Sequence, residues 1–190
     1  MRFLAAATLF SMNLWAAGEL SGRRVPSFTL PDLNINYHDI YDYRGKIVLL
    51  DIVQTTCPVC QTSQKIFETI RLKYPDKVTV LAIVTQPDTQ VTVKQFIGNY
   101  SVKTPVLFDC GQAIAALLKL TPRNSEISMP HLFVVDAKGM IRNDWGYKQG
   151  NEPIFEKLEP LMKEVTALVG EMGGGGAAPK GPAAPAAKKK

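Results

Sequence analysis

Two cysteines separated by two residues, Cys57 and Cys60 in the segment Cys-Pro-Val-Cys, are the side chains of this chain best suited to chemistry. Residues three apart on a helix lie on one face, close enough for a disulfide to form between them. At a helix N-terminus, unpaired N–H groups and the macrodipole favour negative charge on Cys57, while Cys60 would lie one turn in and be more shielded. The spacing therefore predicts an attacking thiol at Cys57, a resolving thiol at Cys60 and a redox-active disulfide between them.

The segments on either side of the motif predict a buried strand that runs into an amphipathic helix. Residues 47–53 are apolar and rich in β-branched side chains except at Asp51, as is typical of a strand covered on both faces. From Val59 onward, apolar residues recur at steps of three and four, and Pro58 suits the first helical turn because its missing N–H would have been unpaired there. A carboxylate is costly inside such a strand, so Asp51 is a second candidate for chemistry.

The strand, the Cys-Pro-Val-Cys motif and the helix resemble the thioredoxin superfamily, and within it the TlpA/ResA-like branch of extracytoplasmic thiol–disulfide oxidoreductases. The segments that carry the resemblance are RGKIVLLDIVQTTCPVC, the pair Met129-Pro130 ahead of a later strand, and FVVDAKGMI. The resemblance spans residues 25–169. It implies an α/β, thioredoxin-like fold, in which a central mixed β-sheet is flanked by helices and carries an N-terminal extension and an extra strand–helix insertion.

The resemblance also implies roles for individual residues. Asp51 corresponds to a buried carboxyl that accepts the proton of the second cysteine, here Cys60, and desolvation would suit it to that task by raising its pKa. Pro130 matches a cis-proline that packs against the active-site disulfide, and it would turn the Met129 backbone toward Cys57 to bind a client polypeptide. The implied partners are protein thiols and disulfides and an unidentified redox partner, with no metal or organic cofactor.

Several features of the TlpA/ResA-like branch are missing from this sequence. Thr55 and Thr56 precede the first cysteine where tryptophan often flanks the motif, and Ser63 stands where ResA-like members have an acidic residue. These departures argue against a specialised role in cytochrome c maturation, but they leave the dithiol chemistry intact.

Two further residues with reactive side chains, His131 and Cys110, are given structural interpretations. A histidine at the entrance to a strand is more often a packing residue than a metal ligand or a group that tunes a thiolate. Cys110 is the odd cysteine of the chain, and we expect a free structural thiol there, with an intermolecular disulfide as the alternative.

Two alternative functions remain open on the sequence. A peroxiredoxin-like (AhpC/TSA) peroxidase would need the motif Pro-x-x-x-Thr/Ser-x-x-Cys, but Leu50 and Gln54 occupy its proline and hydroxyl positions. A Sco-type copper-binding module would use two cysteines separated by three residues rather than two, together with a histidine. A zinc site would need more ligands than the motif supplies. A thiol–disulfide oxidoreductase is therefore the preferred function.

The chain divides into a signal peptide at residues 1–18, a thioredoxin-like domain at residues 25–170 and a disordered Gly/Ala/Pro/Lys tail at residues 171–190. The leader has one early arginine, an apolar run and small residues near its end, and it falls short of the roughly 20 apolar residues that a membrane span needs. Cleavage would leave a periplasmic or secreted protein with no stable membrane span, which we expect to be a monomer. An uncleaved apolar N-terminus is the alternative.

The formal net charge of +5 is not spread over the predicted domain. Five cations lie in the leader and the tail, namely Arg2, Lys180, Lys188, Lys189 and Lys190. Without them the charge is near zero, which gives no support for nucleic-acid binding.

Hydrophobic periodicity and chain-breaking residues predict the remaining elements. We expect a hairpin within residues 22–42 and, after the motif, strands at 78–84, 105–108 and 129–135 with a short antiparallel return at 140–142, and helices at 91–100, 112–120 and 154–169. Pro160 lies inside the last of these helices and should kink it.

Overall fold

A mixed five-stranded sheet forms the centre of the molecule in a computed structural model, which describes residues 18–173. The strands within these residues are β1 (Thr29–Pro31), β2 (Tyr37–Asp39), β3 (Ile47–Ile52), β4 (Val78–Val84), β5 (Val106–Phe108), β6 (His131–Val135) and β7 (Ile141–Gly146). The α-helices within them are α1 (Pro58–Lys73), α2 (Gln90–Tyr100), α3 (Gln112–Leu118), α4 (Glu152–Glu156) and α5 (Leu158–Gly173). The predicted α/β fold with a central mixed sheet is therefore confirmed.

The order of strands in the sheet is β5-β4-β3-β6-β7, so the strand before the cysteine motif lies at the centre. β3, β4 and β5 are parallel, and their carboxyl ends therefore meet at one edge of the sheet. β6 pairs antiparallel with β3, and β7 pairs antiparallel with β6. Every residue of β3 is buried. The predicted unit of strand, cysteine helix and strand is confirmed, and β4 has the predicted bounds.

Both faces of the sheet are covered, which accounts for the nearly continuous apolar sequence of β3. Ile47 and Leu49 pack on one face with apolar residues of α1, α4 and α5. Val48 and Leu50 pack on the opposite face with the N-terminal segment and α3. Because side chains alternate along a strand, Asp51 lies on the face that α1 covers.

The N-terminal extension is a hairpin in which β1 and β2 pair antiparallel, followed by a 3-10 helix at Ile40–Tyr43. The helix and strand of the predicted insertion are α2 and β5, which lie between β4 and α3. The segment ahead of the hairpin also contacts the sheet, since the N–H of Gly22 donates a hydrogen bond to the carbonyl of Ile141 at 2.9 Å.

The prediction of one C-terminal helix kinked at Pro160 is wrong. The chain instead leaves the helical conformation at Lys157, whose φ of −126° and ψ of 139° are extended, and α5 begins afresh at Leu158. Pro160 is then the third residue of α5, where the backbone N–H would have no intrahelical partner in any case. The proline therefore lies at a helix start and needs no kink.

The return strand is longer than predicted and ends at Gly146 rather than Arg142. Asn143 and Asp144 lie in the part of the strand beyond the predicted end, and both side chains are buried. Asp144 owes its burial to the N-terminal segment, which lies more than a hundred residues earlier in the sequence.

The predicted signal peptide lies outside the described residues except for Gly18. The predicted tail also lies outside them, except for residues 171–173, which are the last residues of α5 rather than part of a tail. Within residues 18–173, no helix is long and apolar enough to cross a membrane.

Candidate active site

The motif follows β3 at the start of α1, with Cys57 as the N-cap of the helix and Pro58 as its first residue. The backbone N–H of Cys60 donates a hydrogen bond to the Sγ of Cys57 at 3.3 Å. Cys57 is half-buried, Cys60 is fully buried, and both are free thiols. The helix therefore presents one sulfur toward solvent with an N–H donor behind it and holds the other inside.

Behind the motif, Asp51 is fully buried on the face of the sheet that α1 covers. Its Oδ2 accepts a hydrogen bond from the Nε2 of Gln64, one turn beyond Cys60 on α1, at 3.1 Å. Burial raises the pKa of Asp51 well above its ordinary value, although the Gln64 hydrogen bond opposes the rise. Burial, and after it the nearby Asp51 carboxylate, raise the pKa of the Cys60 thiol. The Cys60 thiol and the Asp51 carboxyl therefore lie near each other in a buried environment that disfavours the charged form of each.

The loop ahead of Cys57 is held by Asp88, a residue that the sequence analysis did not single out. The Asp88 carboxylate accepts hydrogen bonds from the backbone N–H of Thr55 at 3.0 Å, from the Thr55 hydroxyl, and from the Thr92 hydroxyl at 3.1 Å. Gln61 donates to the carbonyl of Thr55 at 2.8 Å from the other side. The sequence position of Asp88 could have indicated this contact, because Asp88 follows β4 and the carboxyl ends of β3 and β4 lie together.

On the other side of the motif, the peptide bond between Met129 and Pro130 is cis, as predicted. A second cis bond joins Gln86 to Pro87 and was not predicted. β6 begins directly after Pro130 and pairs with the end of β3. This pairing brings the Met129-Pro130 segment next to the motif. Met129 and Cys57 pack against the same apolar cluster, which includes Cys60.

The family model described as redoxin matches residues 20–153 of the chain. The chain belongs to the redoxin family. Among curated relatives, the thiol-disulfide oxidoreductase ResA of Bacillus thuringiensis (strain Al Hakam) is 27% identical over 145 residues, which are 76% of this chain and 78% of the relative. The thioredoxin-like protein YneN of Bacillus subtilis (strain 168) is 27% identical over 128 residues, covering 66% of this chain and 71% of the relative. The predicted place in the TlpA/ResA-like part of the thioredoxin superfamily is confirmed.

Solved structures show that this redoxin has the thioredoxin-like fold. A secreted Mycobacterium tuberculosis disulfide oxidoreductase homologous to DsbE of E. coli superposes with a TM-score of 0.61 at 20% identity, covering 74% of this chain and 96% of that one. A thiol:disulfide interchange protein of the thioredoxin family from Chlorobium tepidum TLS superposes with a TM-score of 0.62 at 17% identity, covering 77% and 96%.

His131 follows Pro130, but its side chain takes part in a buried contact on the other face of the redoxin sheet. Its ring packs against Phe133 at 4.7 Å between centroids, and its Nε2 lies 3.8 Å from the Oδ2 of Asp144. Since Phe133 and His131 are two apart on β6, they share the face opposite Asp51. The structure places His131 in a packing position, away from the buried carboxyl of the site.

Asp144 is a buried carboxylate that the N-terminal segment encloses. It accepts hydrogen bonds from the backbone N–H of Leu20 at 3.1 Å and from the Ser21 hydroxyl at 2.8 Å. Burial acts to raise the pKa of Asp144, but the nearby His131 ring and the hydrogen bond from Ser21 outweigh it and lower that pKa below its ordinary value. Asp144 therefore ties the start of the fold to β7.

Cys110 is exposed and free, at the carboxyl edge of β5 just ahead of α3. Its neighbour Asp109 accepts hydrogen bonds from the backbone N–H groups of Ala113 and Ile114, at 3.2 and 2.9 Å. Within the part of the chain that the structure describes, no three His, Cys, Asp or Glu side chains are grouped closely enough to hold a metal ion.

Tyr147 is a further residue beside the site that the sequence analysis missed. Its N–H donates to the carbonyl of Pro130 at 3.0 Å, and its hydroxyl donates to Glu156 at 2.8 Å. The hydrogen bond to Glu156 is the main cause that raises the pKa of Tyr147, with a smaller contribution from the charge of Cys57. Tyr147 therefore flanks the surface on which Cys57 is presented.

Proposed function

We propose that this redoxin is a thiol–disulfide oxidoreductase that exchanges its Cys57–Cys60 dithiol and disulfide with protein clients. One observation carries the proposal: Cys57 is half-buried at the start of α1 with an N–H donor on its sulfur, while Cys60 and Asp51 are fully buried behind it. This asymmetry gives the two thiols different tasks. The names of ResA and of the solved interchange proteins support the same chemistry.

In the reducing direction, the Cys57 thiolate attacks one sulfur of a client disulfide, and the other client sulfur leaves as a thiolate. The product of this step is a mixed disulfide between Cys57 and the client. Cys60 then gives its proton to the Asp51 carboxylate, and its sulfur attacks Cys57. The second client sulfur leaves, and Cys57 and Cys60 end as a disulfide. The client has gained two electrons and the redoxin has lost two, so a redox partner must restore the dithiol.

The client binds along the segment that precedes β6. Met129 offers its backbone to an extended client chain, and Pro130 packs beside the reacting sulfurs. The shared apolar cluster under Met129 and Cys57 supports this assignment, because it fixes the two residues relative to one another. The half-buried Tyr147 ring lies on the same side and extends the surface available to a client.

The redoxin acts outside the cytoplasm, in the periplasm or after secretion. The leader at residues 1–18 supports this location, and one structural relative is itself described as secreted. A compartment rich in protein disulfides would supply the clients that the chemistry requires.

Reduction of insulin disulfides driven by dithiothreitol tests the function directly. The wild-type protein should accelerate the reaction, Cys57→Ser should not, and Cys110→Ser should match the wild type because that thiol lies outside the motif. A wild-type protein that leaves insulin intact but consumes peroxide rapidly would favour the peroxidase and contradict the proposal.

A further inference from the structure

Four buried side-chain atoms lack a hydrogen-bond partner within residues 18–173: Asp51 Oδ1, Gln64 Oε1, Thr104 Oγ1 and His131 Nε2. Nearly all buried polar atoms in proteins are paired with protein or with ordered water, so such atoms call for an explanation. The first three are related, because Gln64 contacts Asp51 and shares a cavity wall with Thr104.

That cavity is a groove of about 580 Å³ between α1 and the segment that follows α2. Its wall includes Gln64, Lys65, Glu68, Tyr100, Lys103 and Thr104. Lys65 and Lys103 are exposed at its mouth, whereas Gln64 and Thr104 are buried at its inner end. The groove has room for several water molecules, and unpaired amide and hydroxyl oxygens are the partners that such water needs.

Gln64 joins this groove to the proton-accepting carboxyl. Its side chain lies in the groove wall and donates to Asp51 at 3.1 Å, and its own carbonyl oxygen is unpaired. The residues that pair with Asp51 on the neighbouring strands are Ala82 and Leu132, so neither strand offers a polar path. The polar connection from Asp51 toward solvent on this side runs through Gln64.

The groove is separate from the end of α1 that carries Cys57. Gln64 lies seven residues beyond Cys57 on α1, which places it about 10 Å farther along the helix axis. A client joined to Cys57 and resting on Met129 covers the start of the helix. A proton on Asp51 must then leave by another side.

We propose that the groove between α1 and the segment that follows α2 is the route by which the Cys60 proton, once on Asp51, reaches solvent, and that Gln64 is the positioning residue of that route. The inference rests on the proposed function. Cys60 S–H and the Asp51 carboxylate become a thiolate and a carboxylic acid, and the acid then releases its proton through water in the groove. When the disulfide is reduced again, the proton returns by the same path.

The charged and titratable groups around this path are few. Cys60 faces Asp51 from α1. Lys65, Glu68, Tyr100 and Lys103 border the groove, with Glu68 held by Arg71 at 2.6 Å. The groups on the groove are on the solvent side of Gln64, so changes at Gln64 act on Asp51 more directly than changes at the mouth.

Infrared spectroscopy tests the route without relying on activity. The C=O band of the protonated Asp51 carboxyl, assigned by its loss in Asp51→Asn, reports both the titration of Asp51 and its rate of hydrogen–deuterium exchange. Gln64→Met removes the donor, so the titration midpoint should rise and resolution of a preformed mixed disulfide at Cys57 should slow about tenfold at pH 7, as expected for loss of a hydrogen bond to a charged group. Attack by Cys57 on a small disulfide should be unchanged.

Thr104→Val tests the groove without altering α1 and should slow the carboxyl exchange several-fold. Thr104→Ser, which keeps the hydroxyl, and Gln95→Met, on the exposed side of α2, should match the wild type. Wild-type exchange and midpoint in both Gln64→Met and Thr104→Val would overturn the proposal, as would equal slowing of attack and resolution. If the wild type instead forms no mixed disulfide, the proposed function fails while the infrared result still decides the route.

Discussion

The N–H of Cys60 donates a hydrogen bond to the Sγ of Cys57 at 3.3 Å. This bond links the two cysteines across the first turn of α1, although both are free thiols. One backbone group of Cys60 thus supports the sulfur of Cys57. The side chain of Cys60 is held inside, near Asp51. The predictions below follow from this division between a presented and a buried sulfur.

Asp51→Asn should slow the resolving step at least about tenfold near neutral pH, because a positioned general base typically contributes 10²–10⁴-fold. The raised pKa of Asp51 means that the wild-type rate of resolution should climb as pH rises through that pKa, and the variant should lack this climb. Stopped-flow release of a chromophoric thiol from Cys57 measures the step. Identical pH profiles for the two proteins would remove Asp51 from the mechanism.

The same substitution should stabilise the fold at high pH. Because the folded pKa of Asp51 is raised, the carboxyl costs no stability below its unfolded pKa of about 3.9, and the cost accumulates as pH rises from there through the folded pKa. Asp51→Asn should therefore raise the free energy of unfolding by about 1–3 kcal/mol at pH 8 and by little at pH 4. Urea denaturation of the reduced proteins at both pH values measures the difference, and a less stable variant at pH 8 would contradict the account.

Asp144→Asn should have the opposite effect. Its folded pKa is lowered, so the ionised carboxyl contributes stability that is present above the unfolded pKa and is lost as pH falls through the folded one. The variant should lose about 1–3 kcal/mol of stability at pH 7, and the loss should shrink below about pH 4. Asp76→Asn at an exposed site is the matched control and should change little in the same urea titrations.

Asp88→Ala should loosen the loop that presents Cys57. It removes the acceptor for two hydrogen bonds from Thr55 and one from Thr92, so we expect a loss of about 1–3 kcal/mol in the free energy of unfolding and slower insulin reduction. Asp76→Ala serves as the control. Wild-type insulin reduction by Asp88→Ala would show that the loop needs no such support.

Local pattern was enough to predict the part of the fold that carries the motif. β3, α1 and β4 were predicted to within a residue at nearly every end, because each has a clear hydrophobic period and Pro58 marks the helix start. Asp51 was found for the same reason, since a carboxyl inside an apolar strand is conspicuous.

Features that depend on distant contacts could not be predicted in this way. Asn143 and Asp144 look like loop residues until the N-terminal segment and α5 supply their partners. Gln64 looks like an ordinary helix residue, and its link to Asp51 is visible only when α1 lies on β3. At the C-terminal helix, the rule that a proline inside a helix kinks it gave a wrong prediction. The helix is broken at Lys157, so Pro160 lies in the first turn of α5.

Trapping of mixed disulfides tests the central claim most directly, in a Cys110→Ser background that removes the exposed third thiol. Cys60→Ser should accumulate covalent adducts with client proteins that dithiothreitol releases, because a hydroxyl cannot resolve the bond at Cys57. Cys57→Ser, matched in composition, should accumulate none, since its remaining thiol is fully buried. Adducts in equal amounts from both variants, or from Cys57→Ser alone, would contradict the assignment of Cys57 as the attacking thiol and Cys60 as the resolving one.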